Sequence, residues 1–215
     1  MKKQFVVIGC GRFGQGVAKT LCEYGHEVLV LDEDEEIIQE VSEYVTHAIQ
    51  VDATDESALK SIGIRNFDIA IISIGADIQA SILATLIAKE EGVKTVVAKA
   101  QNNVHAKVLY KIGADRVVFP ERDMGIRLAN SLVTSNVLDY IELTQDYNVV
   151  EIEAPKDWVD KKLSELKLSN RYGINVIAIK QGDNINISPY AESVIQKGDI
   201  LIFIGDTESL RKLED

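Results

Sequence analysis

The sequence predicts an α/β protein in which a parallel six-stranded sheet with helices on both faces is followed by a crossover helix and a small α+β C-terminal domain. Three observations carry this expectation. Six short runs, at residues 4–8, 27–31, 46–50, 67–72, 94–98 and 115–118, are rich in β-branched residues with little polar alternation, as strands buried on both faces require. Between them lie helical spacings: Phe13, Val17 and Leu21; Ile37, Ile38 and Val41; Ile78, Ile82 and Leu86; Val104, Val108 and Ile112. Gly25, Gly63, Gly92 and Gly113 then stand where each of four helices should stop. A repeated strand, helix and stop builds a parallel sheet through right-handed crossovers.

After Phe119-Pro120 the pattern changes to one long helical stretch, with Met124, Leu128 and Leu132 on one face and Val133, Val137 and Leu138 continuing it. No strand is expected directly after it. The stretch reads as a crossover to a second domain, with apolar residues to spare for a partner subunit. From Tyr147 the spacing predicts a strand at 149–154 and a short helix at 160–167. A hairpin follows, from Ile174–Lys180 through the turn Gln181-Gly182-Asp183-Asn184 to Ile185–Ser188. Ile200–Ile204 forms a last strand, and Asp206 can cap a last helix. The expected domains are 1–134 and 135–215, the second being small enough to need a dimer contact.

Composition narrows the class. With 46% apolar and 27% charged residues and only 3 prolines, the chain is ordinary globular material of 215 residues. Cys10 and Cys22 offer neither a disulfide framework nor zinc spacing, so a reducing cytosol is expected. The apolar run after Lys2-Lys3 is stopped by Gly9, too soon for a signal peptide, and no segment has the length of a membrane span. The net charge of −11, shared almost evenly by the two domains, argues against a nucleic-acid partner.

The chemistry gathers at the first strand. Phe5–Ile8 runs into Gly9-Cys10-Gly11-Arg12-Phe13-Gly14 and a helix, and Asp32 ends the second strand 18 residues after Gly14. This is the Rossmann-like fingerprint in its proper context: Gly9 for the tight turn, Gly11 for a pyrophosphate's approach, Gly14 for close packing, and free helix N–H groups for phosphate. Asp32 can accept from both ribose hydroxyls, and its charge disfavours NADP. Arg12 puts a cation where the helix dipole is already positive, which calls for an anion: either a phosphate or a surface carboxylate. The other strand ends carry Asp52, Ser73-Ile74-Gly75, Lys99 and Glu121. Asp52 and Ser73 could flank an adenosine, or Asp52 could simply start a turn. Lys99 could meet phosphate or stand exposed, and Glu121 could bind a divalent ion or suit a helix start by charge alone. His26, His47 and His105 are not aimed at this rim, so a dehydrogenase would lack its proton-transfer group. Two rivals are an NAD-dependent oxidoreductase and an NAD(H)-sensing redox regulator that binds DNA. The domain reads instead as one that binds a nucleotide and reports it.

The stretch Phe5–Gly14, Asp32, Val51-Asp-Ala-Thr-Asp55, Lys99-Ala-Gln101 and Phe119-Pro-Glu-Arg-Asp123 resembles the regulator-of-potassium-conductance (RCK) family, near the cytosolic gating subunits of bacterial Ktr and Trk potassium uptake systems. The resemblance spans essentially the whole chain. It implies a homodimer assembling into an octameric ring beneath an integral-membrane potassium channel subunit, hence a cytoplasmic protein held at the inner face of the membrane through that partner. It implies ATP or ADP, with NAD or NADH as competitors, at Gly9, Gly11, Arg12, Phe13, Gly14, Asp32, Asp52, Ala53, Thr54, Ser73, Ile74, Gly75 and Lys99. It further implies that Arg12 reaches a neighbour's γ-phosphate and that Glu121 holds Mg2+ or Ca2+. In several relatives the C-terminal domain binds cyclic di-AMP through a segment matching Asn170–Ile177 and the region near Pro189. Here Arg171, Asn175, Ile177 and Pro189 would serve, with Ser169 standing where those relatives carry an arginine.

Overall fold

The computed structural model describes residues 2–133, 137–144, 146–182 and 184–211. It divides after Pro120 into two compact units, whereas the sequence boundary at 134/135 falls inside the second. The first unit alternates strand and helix: β1 (Gln4–Ile8), α1 (Arg12–Glu23), β2 (Glu27–Asp32), α2 (Glu35–Val41), β3 (His47–Gln50), α3 (Glu56–Ile62), β4 (Ile69–Ile72), α4 (Ile78–Glu90), β5 (Thr95–Lys99), α5 (Asn103–Lys111) and β6 (Arg116–Val118). All six strands are parallel, in the order β3-β2-β1-β4-β5-β6. The order reverses between β1 and β4, and this switch point is where an open α/β sheet takes its ligand.

Period-two alternation sorts the strands onto two cores. Val6, Ile8, Leu29, Leu31, Ala70 and Ile72 face one layer with Leu59, Ala84 and Ile87, while Phe5, Val7, Val28, Val30 and Ile71 face the other with Ala18 and Val41. Burial on both sides is why these strands read as unbroken apolar runs. Gly25, Gly63, Gly92 and Gly113 all have positive φ at the helix ends predicted for them.

Apart from its first residue, α6 (Pro120–Val133) belongs to the second unit, which continues with β7 (Val137–Glu142), β8 (Tyr147–Glu153), α7 (Leu163–Leu166), α8 (Leu168–Tyr172), β9 (Asn175–Gln181), β10 (Asn184–Asn186), β11 (Ile200–Asp206) and α9 (Thr207–Arg211). Its sheet has five strands in the order β10-β9-β11-β8-β7, antiparallel at every pairing. One face carries the core, with Val150, Ile152, Leu201 and Phe203 packed on Leu166, Ile174, Ile195 and Leu210.

Three sequence expectations are corrected here. Val137 and Leu138 do not continue the helix but open β7, whose register sets Tyr140 opposite Val150 and Ile141 opposite Val149. Val133 and Val137 have helical spacing, but the Val, Tyr and Ile of this run favour a strand, and pairing with β8 satisfies its backbone. The helix expected at 160–167 is two shorter ones meeting at Lys167, which takes a left-handed conformation (φ 49°). The strand expected from 149 begins at Tyr147. The hairpin of β9 and β10 is present, although Asp183 of its turn lies outside the described residues. Asp206 caps the last helix as expected, accepting from the Ser209 N–H at 2.9 Å.

Candidate nucleotide site

The first turn after β1 is shaped by what surrounds it. Gly9 has φ +82°, and a Cβ there would lie 2.9 Å from the Ile74 main-chain nitrogen. A Cβ on Gly14 would lie 2.5 Å from both Gly9 O and Ser73 Oγ, so only glycine lets α1 come this close to the turn. Gly11 differs. A Cβ there would meet nothing within 4 Å, so no protein atom requires glycine, and the open space is what a pyrophosphate needs.

Side chains cap four neighbouring helices. Asp34, Asp55, Asp77 and Asn102 accept from first-turn N–H groups of α2, α3, α4 and α5. By contrast α1 follows Gly11, has no side-chain cap and carries no acid in its first turn. Its N–H groups are left for an external anion. Arg12, the first residue of α1, is exposed, and its guanidinium has no carboxylate partner among the described residues. Phe13 follows it, half-buried.

Asp32 is fixed at the other wall. Its Oδ2 accepts from the Cys10 N–H and its Oδ1 from the Asp34 N–H at 3.0 Å. Each carboxylate oxygen keeps a further lone pair, so the side chain is aimed without being used up. Gly9 N–H donates to Leu31 O and Ser73 N–H to Ile8 O, both at 2.8 Å, which ties the turn to β2 and β4.

The remaining candidates separate. Asp52 forms a local turn, with Oδ1 accepting from the Thr54 N–H at 2.8 Å and the Thr54 hydroxyl at 2.7 Å, and these bonds hold its carboxyl below the usual range. Ala53 is half-buried within that turn. Ser73 is buried and its hydroxyl donates to Gly9 O, so it supports the turn from behind. Ile74 and Gly75 form the wall beside Gly9, and Lys99 reaches across it, its Nζ 3.3 Å from where a Gly75 Cβ would stand.

Two contacts escaped the sequence reading. The Gln101 side chain donates to Gly75 O, gripping the β4–α4 loop, and the Cys10 main chain holds Asp32. Neither belongs to a periodic pattern. Gln101 stood in the sequence only as part of the Lys99-Ala-Gln101 segment that carries the family resemblance, with no role assigned to it. The Cys10 thiol is inert, with burial, then Asp32 and Glu40, pushing its pKa up to about 12.

Glu121 belongs to the second unit, exposed in the first turn of α6 beside Asp123. Among the described residues no group of three or more His, Cys, Asp and Glu side chains is placed to hold a metal ion. In the same unit Asn175 and Ile177 are exposed on β9, and Ile177 stands at the bulge where the register to β11 shifts. Arg171 is exposed at the end of α8, its guanidinium 5.6 Å from the Tyr172 ring centroid, and Pro189 is half-buried after β10. A groove of about 430 Å³, lined by Glu27, Leu29, His47, Ile49, Ile62 and Phe67 among others, lies at the amino ends of β1–β3, away from the glycine turn.

A switch-point glycine turn with an uncapped helix and a fixed acid defines a nucleotide-binding Rossmann-type domain, here followed by a small antiparallel sheet. The TrkA-N domain family matches residues 5–120 and the TrkA-C domain family residues 149–215. The chain belongs to the family of Ktr system potassium uptake proteins. It is 50% identical over 214 residues to Ktr system potassium uptake protein C of Bacillus subtilis (strain 168), covering 100% of this chain and 97% of that one. It is 45% identical to Ktr system potassium uptake protein A of the same organism, covering 99% and 96%. Among solved structures, the GsuK channel shares the fold with a TM-score of 0.72 at 18% identity, covering all of this chain and 39% of the other.

Proposed function

We propose that this chain is the nucleotide-sensing regulatory subunit of a Ktr-type potassium uptake system and gates a membrane potassium channel subunit. One observation carries the nucleotide reading: α1 alone among the five α-helices of the first unit has no side-chain cap at its N-terminus, Arg12 there has no carboxylate partner among the described residues, and the same turn fixes the carboxylate of Asp32 through the Cys10 N–H. Phosphate satisfies the helix end and the arginine, and ribose hydroxyls meet the acid. ATP and ADP are the ligands this suits best, with NAD or NADH competing for the same turn. A terminal phosphate read by Arg12 across a subunit boundary gives ATP and ADP different affinities for two ring shapes, which is what a ligand-driven switch needs.

The assembly in this reading is a homodimer built up to an octameric ring, docked on the channel at the cytoplasmic face of the membrane. Met124, Leu128 and Leu132, all more than half exposed on α6, supply apolar surface for pairing. Glu121 then meets its partner's copy around Mg2+ or Ca2+. The C-terminal unit offers Arg171, Asn175, Ile177 and Pro189 to cyclic di-AMP. The protein reports its ligand and does not transform it; the thiol at the turn, Cys10, is held protonated. Calorimetry of the purified protein with ATP, ADP, NADH and cyclic di-AMP tests this reading, beside potassium flux through the channel subunit with ATP or ADP present. Binding of ATP and ADP with unequal effects on flux supports it. Nicotinamide turnover without nucleotide-dependent flux contradicts it.

A further inference from the structure

His105 sits in the first turn of α5, its N–H donating to the Asn102 side chain at 2.9 Å and its residue only 2% exposed. Among the described residues its ring makes one hydrogen bond: Nδ1 accepts from the Gln101 N–H at 3.4 Å. The ring proton therefore resides on Nε2, which is buried and has no partner among the described residues. Gln101 in turn donates from its side chain to Gly75 O. Gly75 adjoins Ile74, the residue packed against Gly9, so the contacts run from a buried imidazole to the wall of the nucleotide turn.

We propose that His105 is a positioning residue for that wall: its neutral ring holds Gln101, Gln101 holds the β4–α4 loop, and protonation of the ring releases the loop and weakens nucleotide binding. This rests on the nucleotide reading above. The chemistry is one of donors and acceptors. A protonated Nδ1 turns its hydrogen toward the Gln101 N–H, and two donors cannot share a bond, so the turn at 100–102 must shift and carry the Gln101 side chain with it. The end of α5 adds positive partial charge, which opposes a cation in the same place.

The surrounding charges do not set the ring's state. The ionisable groups on α4, β6 and the end of β5 are Lys89, Glu90, Arg116 and Lys99, with Asp77 just before α4 and Asp115 just before β6, and α5 itself carries Lys107, Tyr110 and Lys111. Asp77 is engaged with the Gln79 and Ala80 N–H groups, and Asp115 with Lys89 and the Val96 N–H. Burial alone lowers the His105 pKa, so the ring is neutral at pH 7 and gains its proton only in acid.

ATP binding to the full chain, measured from pH 7.5 to 5.0 for wild type, His105→Asn and Gln101→Ala, tests this. An asparagine amide oxygen stands near the place of Nδ1, accepts the Gln101 N–H and does not titrate. The γ-phosphate of ATP is common to all three measurements, so the difference between proteins reports the turn at 101–105. Wild type should lose about threefold or more affinity relative to His105→Asn across this range. Gln101→Ala should bind more weakly at pH 7.5 and lack the extra acid loss, while the His105 ring still titrates by NMR. Since Gln101 is exposed, that variant tests the idea even if His105→Asn fails to fold. Parallel pH profiles in wild type and Gln101→Ala overturn the proposal and leave the nucleotide reading standing. Absence of ATP binding at every pH overturns both.

Discussion

Cys10 and Asp32 are joined through the main chain: the Cys10 N–H, in the turn after β1, donates to Oδ2 of the acid that ends β2. The glycine turn and the carboxylate proposed to meet ribose are thereby one rigid piece. In the nucleotide reading the site is organised before any ligand arrives, so binding avoids much of the entropy cost of ordering a loop.

Two glycines of the turn should separate on substitution. Gly14→Ala forces a methyl to within 2.5 Å of Gly9 O and Ser73 Oγ, and should destabilise the protein by about 1 to 3 kcal/mol in urea unfolding. Gly11→Ala meets no protein atom, and its φ of −65° suits any residue, so unfolding should stay near wild type while ATP binding falls. Equal loss of stability in both would mean that Gly11 serves the fold.

Arg12→Ala should act in opposite senses on the free and bound protein. Without ligand, removing a cation from the positive end of α1 should leave stability unchanged or raise it by about 0.3 to 1 kcal/mol. With ligand, ATP affinity should fall more than ADP affinity, measured by titrating both. Equal losses would make Arg12 a general phosphate contact.

Acid should find the first unit through Asp115. The Val96 N–H at 2.7 Å, helped by Lys89 at 3.0 Å, lowers its pKa below the usual aspartate value of 3.8. A lowered folded pKa means its contribution is fully present above the unfolded value and is lost as pH falls through the folded one. Urea midpoints taken between pH 5 and 2 should therefore drop less steeply in Asp115→Asn than in wild type, whereas identical slopes would remove this pair from acid stability.

Glu121 tests the metal. If two copies of this carboxylate face each other across a dimer, Mg2+ or Ca2+ should raise the melting temperature of the nucleotide-bound protein, because the ion offsets their repulsion. Glu121→Gln should abolish the increment. A metal effect that survives the substitution places the ion elsewhere.

Much of this was legible in the sequence for a physical reason. Strands buried on both faces must be apolar throughout, and α-helices that end tightly need a residue tolerant of positive φ, so β1–β6 and four helix stops could be placed from residue types alone. Gly9, Gly14 and Asp32 were legible because close approach and charge leave few alternatives. β7 was not, since Val133 and Val137 mimic helical spacing, and only the pairing with β8, ten or so residues away in sequence, decides the matter. The bond from the Ser73 hydroxyl to Gly9 O was not legible, because a hydroxyl at a strand end can point either way. The Gln101 bond to Gly75 O is a single tertiary contact, and the Gln101 N–H bond to the His105 ring, only four residues away, depends on one side-chain orientation; no periodic pattern records either.

The most direct test of the account is calorimetric titration of wild type and Asp32→Ala with ATP and ADP. Charged hydrogen bonds to ribose are worth about 1.5 to 3 kcal/mol, so wild type should bind both nucleotides and the variant should lose about ten- to hundredfold affinity for each. Wild type that binds neither nucleotide, or a folded Asp32→Ala that binds both as wild type does, would contradict it.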